Sequence, residues 1–364
     1  MKISVIAAAD LDDGTRSKWR ALQASNPALA SPYFCPELTA AVAAQHDDVR
    51  IAVLEEGAAG GVVGFFPFQG RWGVGRPVGG HLSDHHGVIA GPDTVVDWQQ
   101  LLKATGLAWW EFDHLTAAQS PGGVDEVRTG SPALDLSRGF AAWKQGRIDA
   151  GGRRIAELDR KARKLAREVG PVRFEAHDDD RALFWTVLRK KTEQCRRTGV
   201  DDVFASQRSR ALVDDICSTQ GPTFAGRLSA LYAGDTLIAA HLGMRSARAW
   251  HWWFPVYEQA FAKHSPGALL LLHTARAAAA GGAVVLDLGK GDDGYKDSFA
   301  DCSFPLVEGC VTRPTLRAAI RETGKRAKHW ARTSSSLSIL RPVWRLARGF
   351  QRSHASHLAP AEVL

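Results

Sequence analysis

Residues 247–291 read ARAWHWWFPVYEQAFAKHSPGALLLLHTARAAAAGGAVVLDLGKG and decide the fold. The aromatic run at 247–256 predicts a strand. The apolar run at 265–282 begins at a capping Ser265 and ends at a Gly pair, which predicts a buried helix. The run at 283–291 predicts a further strand. A strand, a helix and a strand in succession indicate an α/β unit.

The preceding residues extend this unit. They predict a strand at 171–177, helices at 178–199 and 204–219, and a hairpin at 222–246 that turns at Ala-Gly-Asp. The order β-α-α-β-β-β-α-β results. The first half repeats it, with strands predicted at 2–8, 49–56, 61–68, 85–90 and 107–115 and helices at 15–24, 36–45 and 97–106. The expected fold class is therefore α/β (α+β), with two tandem domains built on mixed central sheets.

A charged helical run between the halves contains Gly151-Gly152 and predicts an interrupted connector. We therefore divide the 364 residues into an N-terminal domain, a helical connector, a C-terminal domain and a basic tail. The predicted bounds are 1–137, 138–170, 171–310 and 311–364.

Charge is concentrated in the tail. Residues 311–364 hold eleven Lys or Arg and two Glu, a net charge of +9, whereas residues 1–310 carry −2. The basic character thus belongs to the tail and gives no reason to expect DNA binding by the body of the protein.

The five cysteines are scattered and show no CxxC spacing, which favours reduced thiols over a disulfide framework or a zinc site. No apolar stretch has the length of a membrane span. The first residues carry one Lys before a short apolar run and three early Asp, which is a poor secretory signal. We expect a cytoplasmic protein.

Several motifs, in order, carry a resemblance: GVVGFFPF (61–68), GRPVGGHLSDHHGVI (75–89), KTEQCRRTG (191–199), AHLGMRS (240–246) and LDLGKGDDGYK (286–296). Together they resemble the CelD/BcsL-type proteins of the GNAT acyltransferase superfamily, which are associated with cellulose and other exopolysaccharide synthesis in bacteria. The tandem layout also resembles the Fem-type aminoacyl transferases. The resemblance covers roughly residues 1–310 and implies acyl transfer from acetyl-CoA to a sugar-linked acceptor.

Four residues before and within the 265–282 helix are candidates for binding the donor, because free N–H groups at a helix N-terminus hold anions. They are Lys263, His264, Ser265 and Gly267. The Arg/Gln-x-x-Gly-x-Gly/Ala signature of GNAT enzymes is absent. An ordinary Ser-capped helix is the alternative.

The segment 286–296 joins a strand that carries Asp287 to a Gly-rich loop and to Tyr295 and Lys296. Such a segment suits the wall of a polar substrate site, in which Lys296 binds a phosphate. A surface loop beside a hydrogen-bonded Asp287 is the alternative.

The loop 76–89 contains Asp84, His85 and His86. Adjacent histidines on a strand point in opposite directions, and no Cys or Glu completes a known spacing, so we expect no metal. We predict contacts with a sugar or phosphate acceptor, and packing of a domain interface is the alternative.

Two strand histidines, His241 and His251, are predicted to face one cleft and relay a proton from the attacking amine. Arg196 and Arg197 end the 178–199 helix, where they suit either the helix dipole or a substrate phosphate. With Asp287, the two histidines complete the predicted catalytic set.

The tail mixes apolar side chains with evenly spaced arginines, a pattern typical of a surface that contacts anionic lipid. Arginines also suit the guanine edges and phosphates of cyclic di-GMP. The inner-membrane surface, cyclic di-GMP and a solvated tail with no partner remain alternatives. The predicted anion-binding residues are Arg317, Arg321, Arg341, Arg345 and Arg348.

The predicted function is acetyl-CoA-dependent N-acetylation of a sugar-linked acceptor in exopolysaccharide assembly. A Fem-like aminoacyl transferase is the first alternative. A GNAT-fold protein that binds a ligand without catalysis is the second, because the usual CoA signature is missing.

Overall fold

A computed structural model describes residues 1–56, 61–122, 126–291 and 294–314. The chain divides into a unit at Met1–Thr312 and a second at Arg313–Leu364. The predicted tail residues from Arg317 to Arg348 lie outside the described part of the chain. No helix in the described ranges has both the length and the apolar character needed to cross a membrane.

The N-terminal half begins with a strand, two helices and an antiparallel hairpin, as predicted. Helix α1 starts where the Asp12 carboxylate accepts a hydrogen bond from Thr15 N at 2.7 Å. The elements are β1 (Lys2–Ala7), α1 (Asp13–Ser25), α2 (Pro36–Gln45), β2 (Val49–Glu56), β3 (Gly61–Arg71), β4 (Val74–Arg76), β5 (Ile89–Ala90), α3 (Trp98–Ala104) and β6 (Trp109–Thr116).

A strand and two helices connect the halves: β7 (Val127–Asp135), α4 (Phe140–Asp149) and α5 (Arg153–Glu168). The two helices occupy the predicted connector and are separated at Gly151-Gly152, as expected. Strand β7 was not predicted. The predicted strand at 85–90 is wrong for most of its length, since only Ile89–Ala90 forms a strand, which pairs with β3, and His86 makes an isolated bridge to Leu115.

The C-terminal half repeats the predicted order. Helix α6 begins at a capping Asp180 and ends at Gly199, whose φ of 70° suits glycine. The elements are β8 (Val172–Glu175), α6 (Arg181–Thr198), α7 (Gln207–Ser218), β9 (Phe224–Ala233), β10 (Thr236–Ser246), β11 (Ala249–Tyr257), α8 (Pro266–Ala280), β12 (Val285–Asp287), α9 (Lys296–Phe299) and β13 (Cys302–Thr312).

The strands of both halves form one mixed sheet. Its order is β1-β2-β3-β4-β6-β13-β7-β12-β11-β10-β9-β8, with β5 beside β3. Most neighbours are antiparallel, but β4 runs parallel to β6 and β11 runs parallel to β12. The halves exchange strands: β13 from the end of the unit pairs with β6, and β7 from the first half pairs with β12.

The apolar core likewise contains residues of both halves. One apolar cluster unites buried residues of α1 and α2 with buried residues of α6 and α7 on one face of the sheet, including Trp19, Phe34, Phe184 and Ile216. On the other face, α8 packs with α4 and α5 in the C-terminal half, and α3 covers the N-terminal half. Helix α8 is apolar on nearly all sides because it lies in this core.

Candidate functional site

Strands β11 and β12 pair over three residues only and then separate. The last parallel pair is His251 opposite Asp287. Beyond it, β11 continues through Trp253 to Tyr257 while the chain after β12 turns away at Gly289. The separation opens the sheet directly beside His251 and Asp287, two of the three residues predicted to be catalytic.

A cavity of about 470 Å³ occupies this opening, and we call it the β11–β12 cavity. Its volume is in the range of small-molecule sites. Its lining includes four cationic side chains and one carboxylate. The cations are Arg154, Lys191, Lys290 and Lys296, of which Lys290 forms an ion pair with Glu308, and the carboxylate is Asp84. The excess of positive charge suits a ligand that carries phosphates.

The N-terminus of α8 forms one end of the cavity, through Ser265, Pro266, Gly267 and Ala268. Leu269 N donates to Ser265 O at 3.0 Å, so the N–H groups of Gly267 and Ala268 precede this first intrahelical bond. Ser265 has a φ of 54°, and its hydroxyl accepts from Lys161 Nζ at 2.8 Å. This arrangement directs helix N–H groups toward the cavity, where an anion can accept from them.

At the opposite end lies a buried polar group that we call the Asp287 cluster: Asp84, His85, Ser131, His251 and Asp287. Ser131 Oγ donates to Asp287 Oδ1 at 2.5 Å, and His85 Nε2 lies 2.6 Å from Oδ2. Gly289 N also donates to Oδ1, at 2.9 Å. Burial opposes ionisation of Asp287, but the charges of His85 and His251 hold its pKa well below its usual range.

His251 lies between two carboxylates. Its Nδ1 is 3.2 Å from Asp287 Oδ2 and its Nε2 is 2.9 Å from Asp84 Oδ2. Burial alone lowers the pKa of His251, but Asp287 and Asp84 together raise it to about 9. Because ionised carboxylates only accept, both ring nitrogens donate and the ring is an imidazolium.

Asp84 is the one member of the cluster whose side chain lines the cavity. Its Oδ2 accepts from His251 and lies 3.5 Å from Tyr33 Oη. Burial opposes its ionisation, but the hydrogen bond from His251 lowers the pKa of Asp84. Burial and the charge of Asp84 raise the pKa of Tyr33, so its hydroxyl stays protonated. Asp84 is therefore a fixed anion at the cavity floor.

The predicted donor residues divide into two pairs. Ser265 and Gly267 line the cavity. Lys263 instead forms an ion pair with Glu168 at 2.9 Å, and buried His264 lies 3.2 Å from the same carboxylate. These two side chains are held by α5 and do not line the cavity.

The predicted acceptor residues divide in the same way. Tyr295 and Lys296 line the cavity, and Lys296 Nζ donates to Gly289 O at 3.0 Å and to Lys290 O at 3.1 Å. Arg196 and Arg197 are exposed at the end of α6 and are not part of the lining. Lys191 and Gln194, nearer the start of this helix, line the cavity in their place.

His241 does not join the Asp287 cluster. Its ring stacks on Trp252 at 4.1 Å, and its Nε2 accepts from Trp253 N at 3.1 Å. Burial and the charge of His251 lower the pKa of His241 to about 3, which keeps the ring neutral. The structure does not bring His241 and His251 to one cleft, because a register shift between β10 and β11 at Leu242–Met244 places the His241 ring against Trp252.

His85 and His86 do point in opposite directions, as the sequence predicts. His85 contacts Asp287, whereas His86 Nε2 lies 2.8 Å from Asp113 Oδ1. His114 Nδ1 lies 3.0 Å from the same oxygen. Two histidines and a carboxylate thus meet beside the Asp287 cluster, a grouping that was not predicted.

Sequence reasoning also missed Tyr33, Ser131, Lys191 and Arg154. Ser131 lies on the unpredicted strand β7, and Tyr33 lies in a Pro-rich turn with no periodic signal. These residues contact the site from four separate segments, so no local pattern joins them. The sequence does predict Asp84, His251 and Asp287 as site residues. His251 and Asp287 are polar positions in apolar strands, and Asp84 lies in a Gly-containing polar loop.

Residues 152–297 match the family described as the acetyltransferase (GNAT) domain. No curated protein matches the sequence. Among solved structures, FemX is similar, with a TM-score of 0.54 and 11% identity over 85% of this chain and 96% of that chain.

Two further structures have similar folds. The C-terminal domain of a putative lysylphosphatidylglycerol synthetase from Agrobacterium fabrum gives a TM-score of 0.50 and 11% identity over 85% of this chain and 96% of that chain. The L-PGS from Bacillus licheniformis gives a TM-score of 0.51 and 10% identity over 85% of this chain and 95% of that chain. The predicted α/β fold class is confirmed, although the two halves share one mixed sheet. The match of residues 152–297 to the acetyltransferase (GNAT) domain supports the prediction of an acyltransferase.

Proposed function

We propose that the protein transfers an acetyl group from acetyl-CoA to an amine of a sugar-linked acceptor in bacterial exopolysaccharide assembly. The observation that carries the proposal is the β11–β12 cavity, with the N-terminus of α8 at one end, the anion Asp84 at the other and cationic side chains in its lining. The two ends match the two partners of an acyl transfer to an amine.

The donor end fits a CoA pyrophosphate. The N–H groups that precede Leu269 in α8 donate no intrahelical hydrogen bond and are available to a phosphate. Lys191 and Arg154 also line the cavity. When bound, acetyl-CoA supplies an acyl group activated as a thioester. The absence of the usual GNAT signature is compatible with this site, since backbone N–H groups can hold the phosphates.

The acceptor end fits a protonated amine. Asp84 is held by His251 and Tyr33, so its carboxylate offers a fixed charge to an ammonium group entering the cavity. Asp84 takes one proton from the bound ammonium, which frees the nitrogen lone pair. When the nitrogen then attacks the thioester carbon, the C–N bond forms, the C–S bond breaks with its electrons on sulfur, and the second proton lost by nitrogen goes to that sulfur, which leaves as the free thiol. His251 already donates from both nitrogens and acts by positioning Asp84.

Two supports favour a sugar-linked acceptor. The motifs in residues 61–296 resemble the CelD/BcsL-type proteins. The cavity wall also presents Trp253, Tyr257 and Tyr295 beside polar groups, a combination that suits the apolar faces and hydroxyls of a sugar.

Calorimetric titration with acetyl-CoA tests the donor site. We expect saturable binding that weakens about 10-fold in Lys191→Ala, because loss of a charge-assisted phosphate contact costs about 1.5 kcal/mol. Arg196→Ala is the matched control, since this cation lies on the same helix outside the cavity lining. Equal affinities for the two variants would place the donor elsewhere.

Aminoacyl transfer by a Fem-like enzyme is the second candidate, and the fold similarity to FemX and to the synthetase domain favours it. A competition assay separates the candidates. Release of free thiol from acetyl-CoA with an amino sugar supports the first, and transfer from aminoacyl-tRNA without acetyl-CoA binding supports the second. Binding of acetyl-CoA with no transfer to any amine supports a ligand-binding protein without catalysis.

The roles of the tail also stay proposals. Contacts of Arg317, Arg321, Arg341, Arg345 and Arg348 with an anionic membrane surface or with cyclic di-GMP are supported by charge and spacing alone. Because β13 extends to Thr312, a truncation that isolates the tail begins at residue 315 rather than at 311.

A further inference from the structure

A β-bulge in β6 places two adjacent side chains on the same side. Phe112 pairs with Gly309 and Leu115 pairs with Val307, so Asp113 and His114 together face only Glu308. In a regular strand, adjacent side chains point to opposite faces. The bulge instead brings His114 Nδ1 to 3.0 Å from Asp113 Oδ1. Bulges often redirect side chains next to functional sites.

A third side chain reaches this bulge from the loop before β5. His86 N donates to His114 O at 2.9 Å and Thr116 N donates to His86 O at 3.1 Å, so the loop is bound to β6 at the bulge. His86 Nε2 then lies 2.8 Å from Asp113 Oδ1. We call His86, Asp113 and His114 the bulge site. Its three ligand atoms all lie within 4.8 Å of one another.

The remaining ring nitrogens also have outer partners. Ser83 Oγ lies 3.3 Å from His86 Nδ1, and Asp84 Oδ1 lies 3.9 Å from His114 Nε2. Histidines that bind metals are oriented in this way, by a hydroxyl, carbonyl or carboxylate at the second nitrogen.

We propose that the bulge site binds one divalent transition metal of the zinc type through His86 Nε2, His114 Nδ1 and Asp113 Oδ1. Ligand atoms of a tetrahedral zinc lie about 3.3 Å apart. Asp113 Oδ1 is 2.8 and 3.0 Å from the two ring nitrogens, and all three atoms lie within 4.8 Å of one another, so rotation of these side chains can bring them to one ion. The Asp113 side chain is 51% exposed, which leaves a fourth position open to water or to a substrate group.

The same three side chains can also serve as a hydrogen-bonded unit that holds the loop to β6. Asp113→Asn separates the two roles, because the amide oxygen still accepts from either ring while the charge that a cation needs is lost. If Asp113 is a metal ligand, Asp113→Asn lowers the affinity for zinc. If Asp113 is only a structural acceptor, the variant leaves that affinity unchanged, and stability is measured separately.

The test uses the tag-free full chain after treatment with a chelator. Zinc is titrated by calorimetry, and cobalt(II) is used as a probe whose visible absorption reports tetrahedral coordination. We expect one equivalent of zinc to bind. His114→Ala and Asp113→Asn should each weaken binding by more than the roughly 10–100-fold typical of changes to outer partners. Ser83→Ala, which removes an outer partner, should weaken it about 10-fold.

Two control variants address other sources of binding. His81→Ala removes an exposed histidine of the same loop and should leave zinc affinity unchanged. Cys302→Ser removes an exposed thiol and should also leave zinc affinity unchanged. Urea unfolding with chelator present should show Asp113→Asn close to the wild type. Absence of saturable zinc binding, or binding that survives His114→Ala and is lost in Cys302→Ser, would overturn the proposal.

Discussion

At the scale of the residue, the state of His251 determines the chemistry of the site. Its two nitrogens face Asp84 and Asp287, Tyr33 packs against its ring at 5.0 Å, and neutral His241 lies on the neighbouring strand. A ring that donates on both sides cannot accept the proton of a substrate. The cation instead neutralises two buried carboxylates, which would otherwise repel each other.

This arrangement predicts a pH dependence of stability. The folded-state pKa of His251, about 9, lies above the usual value of 6.5. Its stabilising effect is therefore fully present below pH 6.5 and is lost as the pH rises through 9. The free energy of unfolding should fall across this window by on the order of 3 kcal/mol. Urea unfolding at a series of pH values measures it.

Asp84→Asn is the variant to compare with the wild type. It removes one of the two charges that raise the pKa of His251, so the decline between pH 6.5 and 9 should become smaller. Histidine ring NMR should show the same shift directly, with the His251 resonance titrating at lower pH in the variant. Identical pH profiles for the two proteins would contradict the assigned imidazolium.

The sequence predicts several individual residues of this site, but it does not predict that they lie close together. Asp287 and His251 stand out as polar positions in apolar strands, and Asp84 stands in a polar loop. The exclusion of a metal considered only the neighbours of His85 and His86. Asp113 and His114 lie on a distant strand, and only the bulge gives them a common direction.

At the scale of the element, Gly243 supports the site from behind. The ladder between β10 and β11 shifts register between Leu242 and Met244, where Trp252 and Trp253 lie opposite Gly243. A Cβ at Gly243 would lie 2.4 Å from His241 Cε1 and 2.5 Å from His251 O. Gly243→Ala should therefore destabilise the protein by about 1–3 kcal/mol and displace β11 at His251, with a loss of acyl transfer.

Gly146→Ala is the control for that prediction. Gly146 lies inside α4, and a Cβ there meets no described atom within 4 Å. Alanine should stabilise this helix by about 0.5–1 kcal/mol and leave transfer unchanged. Thermal unfolding measures the stability of both variants, and release of free thiol from acetyl-CoA measures their acyl transfer. A Gly243→Ala protein as stable and active as the wild type would show that the strand absorbs the extra methyl group.

The repeated strands and helices were predictable because their apolar patterns are regular. Strands β7 and β13 were not, and proline explains the failure. Pro132 lies in β7 and Pro305 in β13, and a proline within a run argues against a strand in sequence reasoning. Here the prolines pair with Ser303 and Gly130 respectively across the same ladder. Tertiary pairing thus overrides the local signal.

At the scale of the whole molecule, the exchange of β7 and β13 ties the halves together. The predicted bounds 1–137 and 171–310 would leave β6 without its partner β13 in the first fragment. They would leave β12 without β7 in the second. The core that joins α1 and α2 to α6 and α7 would also be divided. Each fragment would expose strand edges and apolar surface, which favour aggregation.

We therefore expect residues 1–170 and residues 171–364 to be insoluble or unfolded when expressed separately, and to copurify as a folded pair when expressed together. The intact chain should unfold in one urea transition, since neither half has a complete sheet of its own. Circular dichroism and size-exclusion chromatography of the fragments test this. Two separate transitions, or a first fragment that is monomeric with native-like strand content, would show that the halves are independent domains despite the exchanged strands.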